Sequence, residues 1–324
     1  MMCNEIWVIA EIRQGRLTRS THQLLGAARK LADERNLQPA ALLIGGEQVH
    51  AEELAQKIPL VLRIENSGLE TYEAVRYAHA LRQLIEKRGR PKVIMTAAGS
   101  SGVEFMPRVA MRCDSGYASY CVDLFWEGEE PACRRPVYGG KVYEELAIST
   151  VPAFFTVRPG VFPVPENLSE TGRVETIPID LPEDTGLRII ERKGISPGKK
   201  DLSEALCVVA GGRGMGTPEN FKLLEKLAEV LDGAVGVSRA VVDAGWMPHD
   251  LQVGKSGKTV SPGLYIACGI SGAIHHVLGM NTAKVVVAIN KDPDALIFRN
   301  ADYGLVGDAL EVIPELIKAI KSKT

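Results

Sequence analysis

The chain has almost no net charge, few aromatic residues and no long apolar run, and each shortage removes a class of function. Thirty-eight Lys and Arg oppose 40 Asp and Glu in 324 residues, a formal net charge of −2. No bulk field therefore draws it to nucleic acid or to an anionic membrane surface. No apolar stretch approaches the ~18 residues that cross a bilayer, so no membrane span is expected. The apolar run at residues 6–10 is shorter than the ~7–15 residues of a signal-peptide core. A cytoplasmic protein of prokaryotic origin is the expectation. The six cysteines, Cys3, Cys113, Cys121, Cys133, Cys207 and Cys268, form no C-x-x-C pair, and no histidines stand at zinc-finger spacing. No metal site is expected, and Cys207 and Cys268, inside apolar runs, read as reduced, buried thiols. No repeat of 20–50 residues stands out, and no nucleophile or acid–base pair is evident.

What is present is a globular composition, 45% hydrophobic and 24% charged, at a length that suggests two domains. The first half alternates apolar runs with amphipathic periods. Strands are expected at residues 6–10, 40–44, 60–64 and 92–97, and helices at 18–35 and 71–87, where apolar residues recur at helical spacing. Such alternation implies a parallel sheet covered on both faces. Seven of the 18 prolines fall between residues 151 and 198. Proline removes a backbone donor and fixes φ, so this stretch reads as a connector, with residues 151–157 as the last strand of the first domain. The predicted organisation is an N-terminal α/β domain at 1–200, with a Pro-rich connector over about 158–203, and a second α/β domain at 204–324. Each is expected to be a mostly parallel sheet flanked by helices, the second Rossmann-like.

In the second domain, strands are expected at 206–210, 233–237, 264–268, 284–289 and 305–306. Helices are expected at 218–231, with Thr217 as N-cap and Pro218 in the first turn, at 273–278 and at 309–321. Three loops carry candidate chemistry. Gly211-Gly212-Arg213-Gly214-Met215-Gly216 follows a strand and precedes a helix, which aims backbone N–H groups and a guanidinium at an anion. It is not a dinucleotide fingerprint, because Thr217 stands where the third glycine belongs, and not a P-loop. Gly269-Ile270-Ser271-Gly272 followed by Ala273-Ile274-His275-His276 is a second anion-friendly turn, and of two adjacent helical histidines only one can face a site. Val253-Gly254-Lys255-Ser256-Gly257-Lys258 contains a GKS string, but His249 replaces the required upstream glycine, so it reads as a polar loop offering a hydroxyl.

Taken together, the strings AGGRGMG, ENFKLLEKLAEVL, AVGVSRAVVDAGW, LQVGKSGKTVSPGLYIACGISGAIHH, VVVAINKDPDA and ADYGLVGD, in order along the last third, resemble the electron-transfer flavoprotein α-subunit family. VIMTAAGSSG and TVRPGVF carry a looser resemblance in the first half. The resemblance implies that FAD lies across the second, FAD-binding domain of DHS-like type, and that the chain carries electrons. It places Arg213, Ser238 and the amides of Ser271, Gly272, Ala273 and Ile274 at the pyrophosphate, and Asn290, Asp308 and Ala309 at the adenosine half. Arg239 falls over the flavin ring, where a permanent cation favours added negative charge. His276 matches a histidine at the pyrimidine edge, and Ser256, in the loop Val253-Gly254-Lys255-Ser256, matches a threonine whose hydroxyl bonds the ring nitrogen N5. His275, where the family commonly has glutamine, reads as outward. Lys255 also replaces a glutamine and adds a charge near the ring.

The resemblance further implies a heterodimer with a β-subunit that holds AMP or a second FAD. It also implies electron delivery from an acyl-CoA or other flavin dehydrogenase, and an acceptor of quinone-reductase or ferredoxin type. A nicotinamide-dependent oxidoreductase subunit and a non-redox nucleotide-binding scaffold stay open as alternatives. The first lacks the ribose-binding acid about 20 residues beyond a glycine fingerprint.

Overall fold

The computed structural model describes residues 2–165, 170–183, 185–187, 189–191 and 200–322. The chain divides into two compact units, Met1–Glu191 and Arg192–Thr324. Of the charged connector expected at residues 188–200, positions 188 and 192–199 lie outside the described residues.

In the first unit the elements run β1 (Glu5–Ile9), the short hairpin β2 (Ile12–Arg13) and β3 (Arg16–Leu17), α1 (Arg19–Asp33), β4 (Gln38–Ile44), α2 (Gln48–Ala55), β5 (Leu60–Glu65), α3 (Ala74–Arg88), β6 (Val93–Ala97) and α4 (Ser100–Arg112). Then follow β7 (Tyr117–Cys121), β8 (Asp123–Glu127), β9 (Glu130–Val137), β10 (Val142–Ala147), β11 (Ala153–Val157) and β12 (Arg173–Pro178). Seven strands form one parallel sheet in the order β12-β5-β4-β1-β6-β11-β7. Successive strand residues serve opposite faces: Ile6, Val8, Ala41 and Leu43 pack with Leu24, Leu25 and Leu54, whereas Trp7, Ile9, Leu42 and Ile44 pack with Leu81, Leu84 and Phe105. A central strand buried on both faces has to be apolar throughout, as EIWVI is apart from its first residue.

Two features depart from the sequence expectation. The last strand of the sheet is β12 rather than residues 151–157; it pairs with β5 at the edge, where proline is tolerated. The segment from β8 to β10 is a three-stranded antiparallel sheet, in the order β10-β9-β8, that supplies Leu124 and Cys133 to the core.

The second unit runs β13 (Cys207–Gly211), α5 (Phe221–Val230), β14 (Ala234–Val237), α6 (Arg239–Asp243), β15 (Leu264–Cys268), α7 (Ile274–Val277), β16 (Val285–Asn290), β17 (Tyr303–Val306) and α8 (Ala309–Lys321). Its five strands are all parallel, in the order β14-β13-β15-β16-β17. One face packs Val209, Ile266 and Ile289 against Phe221, Leu224 and Leu227 of α5 and Ile313 of α8. The other packs Val208, Ala210, Tyr265 and Ala267 against Val277, Met280 and Ile297. Burial pushes the Cys207 thiol up to about 11 and that of Cys268 to about 12, so both stay protonated and free at neutral pH.

The helix expected at residues 218–231 opens as a 3-10 turn at Pro218–Asn220 before α5, and the Thr217 side chain makes no capping bond. Proline sits in that first turn as expected, where it forfeits no hydrogen bond. No described helix in either unit is long and apolar enough to cross a membrane.

Candidate functional site

Numbered within its own unit, the second sheet has the strand order 2-1-3-4-5. Strand order reverses between β13 and β15, and in such sheets the ligand crevice opens at the carboxyl ends of the strands beside that reversal. Five loops leave this edge. Arg213 lies two residues beyond β13, Ser238 directly after β14, Ser271 three residues beyond β15, Asn290 at the end of β16 and Asp308 two beyond β17. The topology thus brings the residues singled out from sequence to one edge of one sheet.

At the reversal the two glycine loops interlock. Gly212 N donates to Cys268 O at 2.9 Å, and Gly214 N to Gly269 O at 3.0 Å. A Cβ on Gly212 would lie 2.2 Å from Gly269 O, and one on Gly214 would lie 2.7 Å from the Gly269 Cα. The glycines expected to shape an anion loop therefore also let two backbones touch. Arg213, between them, is exposed.

From the second loop, the backbone amides of Ser271, Gly272, Ala273, Ile274 and His275 donate none of the described loop and turn hydrogen bonds. Ser271, Ala273, Ile274 and His275 are exposed. Consecutive unengaged N–H groups suit an anion such as a pyrophosphate.

The third loop is pinned to the same edge. Val253 N donates to Val237 O at 2.9 Å, next to Ser238 at the end of β14, and Lys255 N donates to His275 O at 2.7 Å. Its tip presents exposed Lys255 and Ser256. Arg239, the first residue of α6, is also exposed and forms an ion pair with Asp243 at 3.3 Å.

Residues 6–182 match the family description "Electron transfer flavoprotein domain", and residues 201–281 match "Electron transfer flavoprotein FAD-binding domain". Curated relatives align along nearly the whole length. The electron transfer flavoprotein subunit alpha of Thermoanaerobacterium thermosaccharolyticum is 41% identical over 98% of either chain. That of Bacillus subtilis is 39% identical over 99% of this chain and 98% of its own. The mitochondrial one of Arabidopsis thaliana is 36% identical over 99% and 91%. The chain belongs to the electron transfer flavoprotein α-subunit family. Its cofactor is FAD, and it is an electron carrier rather than an enzyme.

The residues at the carboxyl edge of the second unit fit that cofactor in kind. They offer unengaged amides for a diphosphate, two exposed guanidinium groups and an exposed hydroxyl. The corresponding edge of the first unit does not. There the reversal lies between β1 and β6, and the Glu11 carboxylate occupies it, held by Arg13 at 3.0 Å and by the Ser101 hydroxyl at 3.0 Å. A fixed carboxylate repels phosphate.

Several sequence-selected residues have work inside the protein. Asn290, 9% exposed, donates from Nδ2 to Ile270 O at 2.9 Å and accepts from Asp292 N at 3.0 Å, so it braces the Ser271 loop. Asp308 caps α8 by accepting from Leu310 N at 2.9 Å, and Ala309 is the buried first residue of that helix. His275 points outward, as expected of one histidine of the pair, and His276 inward.

The inward imidazole is more enclosed than a ring-edge donor would be. His276 is 6% exposed; its Nε2 lies 2.9 Å from the Tyr265 hydroxyl, and its Nδ1 is buried. Burial lowers its pKa to about 4, with the Val253 backbone pulling the other way. The folded form binds fewer protons than the unfolded form, so stability falls as pH drops from about 6.5 to about 4, by on the order of 3 kcal/mol. Thermal melts of the wild type and His276→Gln across this window should show the steeper acid loss in the wild type. Parallel curves would contradict the assignment.

Sequence reasoning missed the residues that hold the third loop. His249 Nε2 lies 3.2 Å from Ser256 O, and Gln252, 2% exposed, donates from Nε2 to the Ser256 hydroxyl at 2.9 Å. The available signal was a glutamine two positions before the Gly254 turn, where a polar side chain is bounded by apolar Leu251 and Val253.

Proposed function

We propose that this chain is the α-subunit of a heterodimeric electron carrier and that it holds FAD along the carboxyl edge of its second unit. In this reading a β-subunit carries AMP or a second FAD, a flavin dehydrogenase delivers the electrons, and an acceptor of quinone-reductase or ferredoxin type receives them. Supporting it is the convergence of Arg213, Ser238, Arg239, Ser256 and the amides of residues 271–275 on one sheet edge. Bound FAD supplies the electron storage, and the protein supplies position and charge.

The roles follow from residue chemistry. Arg213, Ser238 and the amides of residues 271–274 hold the diphosphate, Arg213 through charge-assisted hydrogen bonds. Asn290 and Asp308 border the adenosine half, Asn290 by bracing the Ser271 loop rather than by exposure. Arg239 brings a guanidinium that favours negative charge on the ring. The Val253–Ser256 loop and His275-His276 border the ring side.

Lys255 is exposed, so solvent screens its charge, and its effect on the ring is reduced accordingly. Lys255→Gln is expected to lower the flavin midpoint potential by roughly 10–40 mV in a dye-coupled redox titration. Unchanged potentials would show that this charge does not reach the ring.

Cofactor stoichiometry of the co-expressed α and β chains tests the reading. One FAD plus one AMP, or two FAD, per heterodimer is expected. A colourless chain that never pairs, or one that releases nicotinamide nucleotide on denaturation, would contradict it.

A further inference from the structure

We propose that Gln252 is a positioning residue that fixes the direction of the Ser256 hydroxyl, making it a hydrogen-bond donor toward the bound cofactor. The inference rests on the FAD reading above. A serine hydroxyl carries one hydrogen and two lone pairs. Gln252 Nε2 donates to that oxygen at 2.9 Å and so occupies one lone pair. The hydroxyl hydrogen then points away from the amide, and because Ser256 is exposed while Gln252 is buried, away means outward. With the amide turned the other way, its carbonyl would take that hydrogen and leave Ser256 able only to accept.

The surrounding loop holds the pair in register. Lys258 N donates to Gln252 O at 2.7 Å, Gly254 N to Lys258 O at 3.1 Å and Gly257 N to Gly254 O at 3.0 Å, which closes the backbone between the two side chains. His249 faces Ser256 O, and Lys255 N is tied to His275 O, so the tip is anchored on both sides. Gly257 has to be glycine, since a Cβ there would lie 2.4 Å from Gln252 O. What remains free is the serine rotamer. Serine lacks the methyl that restricts threonine about χ1, so the Gln252 amide does what a β-branch would otherwise do.

The test is a double-mutant cycle on the full chain, read as the FAD dissociation constant by fluorescence titration together with the visible spectrum of bound flavin. Gln252→Met and Ser256→Ala are each expected to raise the dissociation constant about 3–10-fold, and the double variant no further than the larger single change. Ser256→Thr in the Gln252→Met background should restore most of the affinity, because the methyl returns the rotamer restriction. Full additivity, wild-type affinity in Gln252→Met, or no rescue by threonine would overturn the inference. If thermal melts show Gln252→Met to be unfolded, Gln252→Leu takes its place in the cycle. A wild-type chain that binds no FAD would remove the cofactor reading and this inference together. Equal FAD binding by all variants would remove only the inference.

Discussion

Gly272→Ala is expected to lower the melting temperature by roughly 5–15 °C and to weaken FAD binding at least tenfold. Gly272 has φ of +83° and is buried, and a Cβ there would lie 2.1 Å from Ile297 N and 2.5 Å from the Ile297 Cα. Those are backbone atoms of a segment hydrogen-bonded to the same loop, Ile297 N donating to Ser271 O at 3.1 Å, and Ile297 is fully buried. Neither side can yield cheaply. Left-handed strain of ~1–2 kcal/mol adds to ~1–3 kcal/mol for overpacking, and at a few degrees per kcal/mol this gives the expected shift. The affinity loss follows because the displaced backbone is the one that presents the unengaged amides. Gly245→Ala is the control: its φ is +70°, but nothing lies within 4 Å of the added Cβ. It should cost only the strain and leave FAD binding unchanged. Equal effects of the two substitutions in differential scanning calorimetry and FAD titration would contradict the packing argument.

Arg88→Met is the second large expected effect, in the first unit. Glu5, 7% exposed at the start of β1, accepts from Arg88 at 2.8–3.2 Å and from Trp7 Nε1 at 2.6 Å. Arg88, the last residue of α3, also donates to Glu175 of β12 at 2.6 Å, so one guanidinium joins the central strand, a covering helix and the edge strand. Its hydrogen bonds to Glu5 raise the guanidinium pKa further above its usual range, so Arg88 keeps its charge. Removing the cation leaves a buried carboxylate with the Trp7 indole and the weak Cys3 thiol as its remaining donors, which typically costs about 3–5 kcal/mol. Glu5→Gln with Arg88→Met should recover most of that loss, because the uncompensated charge is gone. Urea unfolding of the three variants checks it, and a double variant no more stable than Arg88→Met would contradict the account.

The strands and helices that the sequence displays are those with a strong period or a continuous apolar run, such as Glu5–Ile9, Leu264–Cys268 and Ala309–Lys321. The edge strand Arg173–Pro178 is hidden by its mixture of charges and proline, because an edge strand need not be apolar on both faces. The antiparallel sheet at residues 123–147 is short-stranded and half-exposed, and its pairing is a tertiary fact. Within the site, loop positions were legible because glycine and small residues punctuate strand ends. Side-chain direction was not. That His276 turns inward to Tyr265, that Asn290 braces a loop and that Gln252 reaches Ser256 all depend on what lies across the fold, which residue spacing does not encode.

The central claim is that FAD occupies the carboxyl edge of the five-stranded sheet. Hydrogen–deuterium exchange of the full chain with and without FAD tests it most directly. The amides of residues 212–217, 238–240, 254–258 and 269–276 are predicted to slow together on FAD addition, with residues 2–165 unaffected apart from any surface that the partner subunit covers in both samples. FAD bound at full occupancy with protection confined to the first unit, or absent from those four loops, would contradict it.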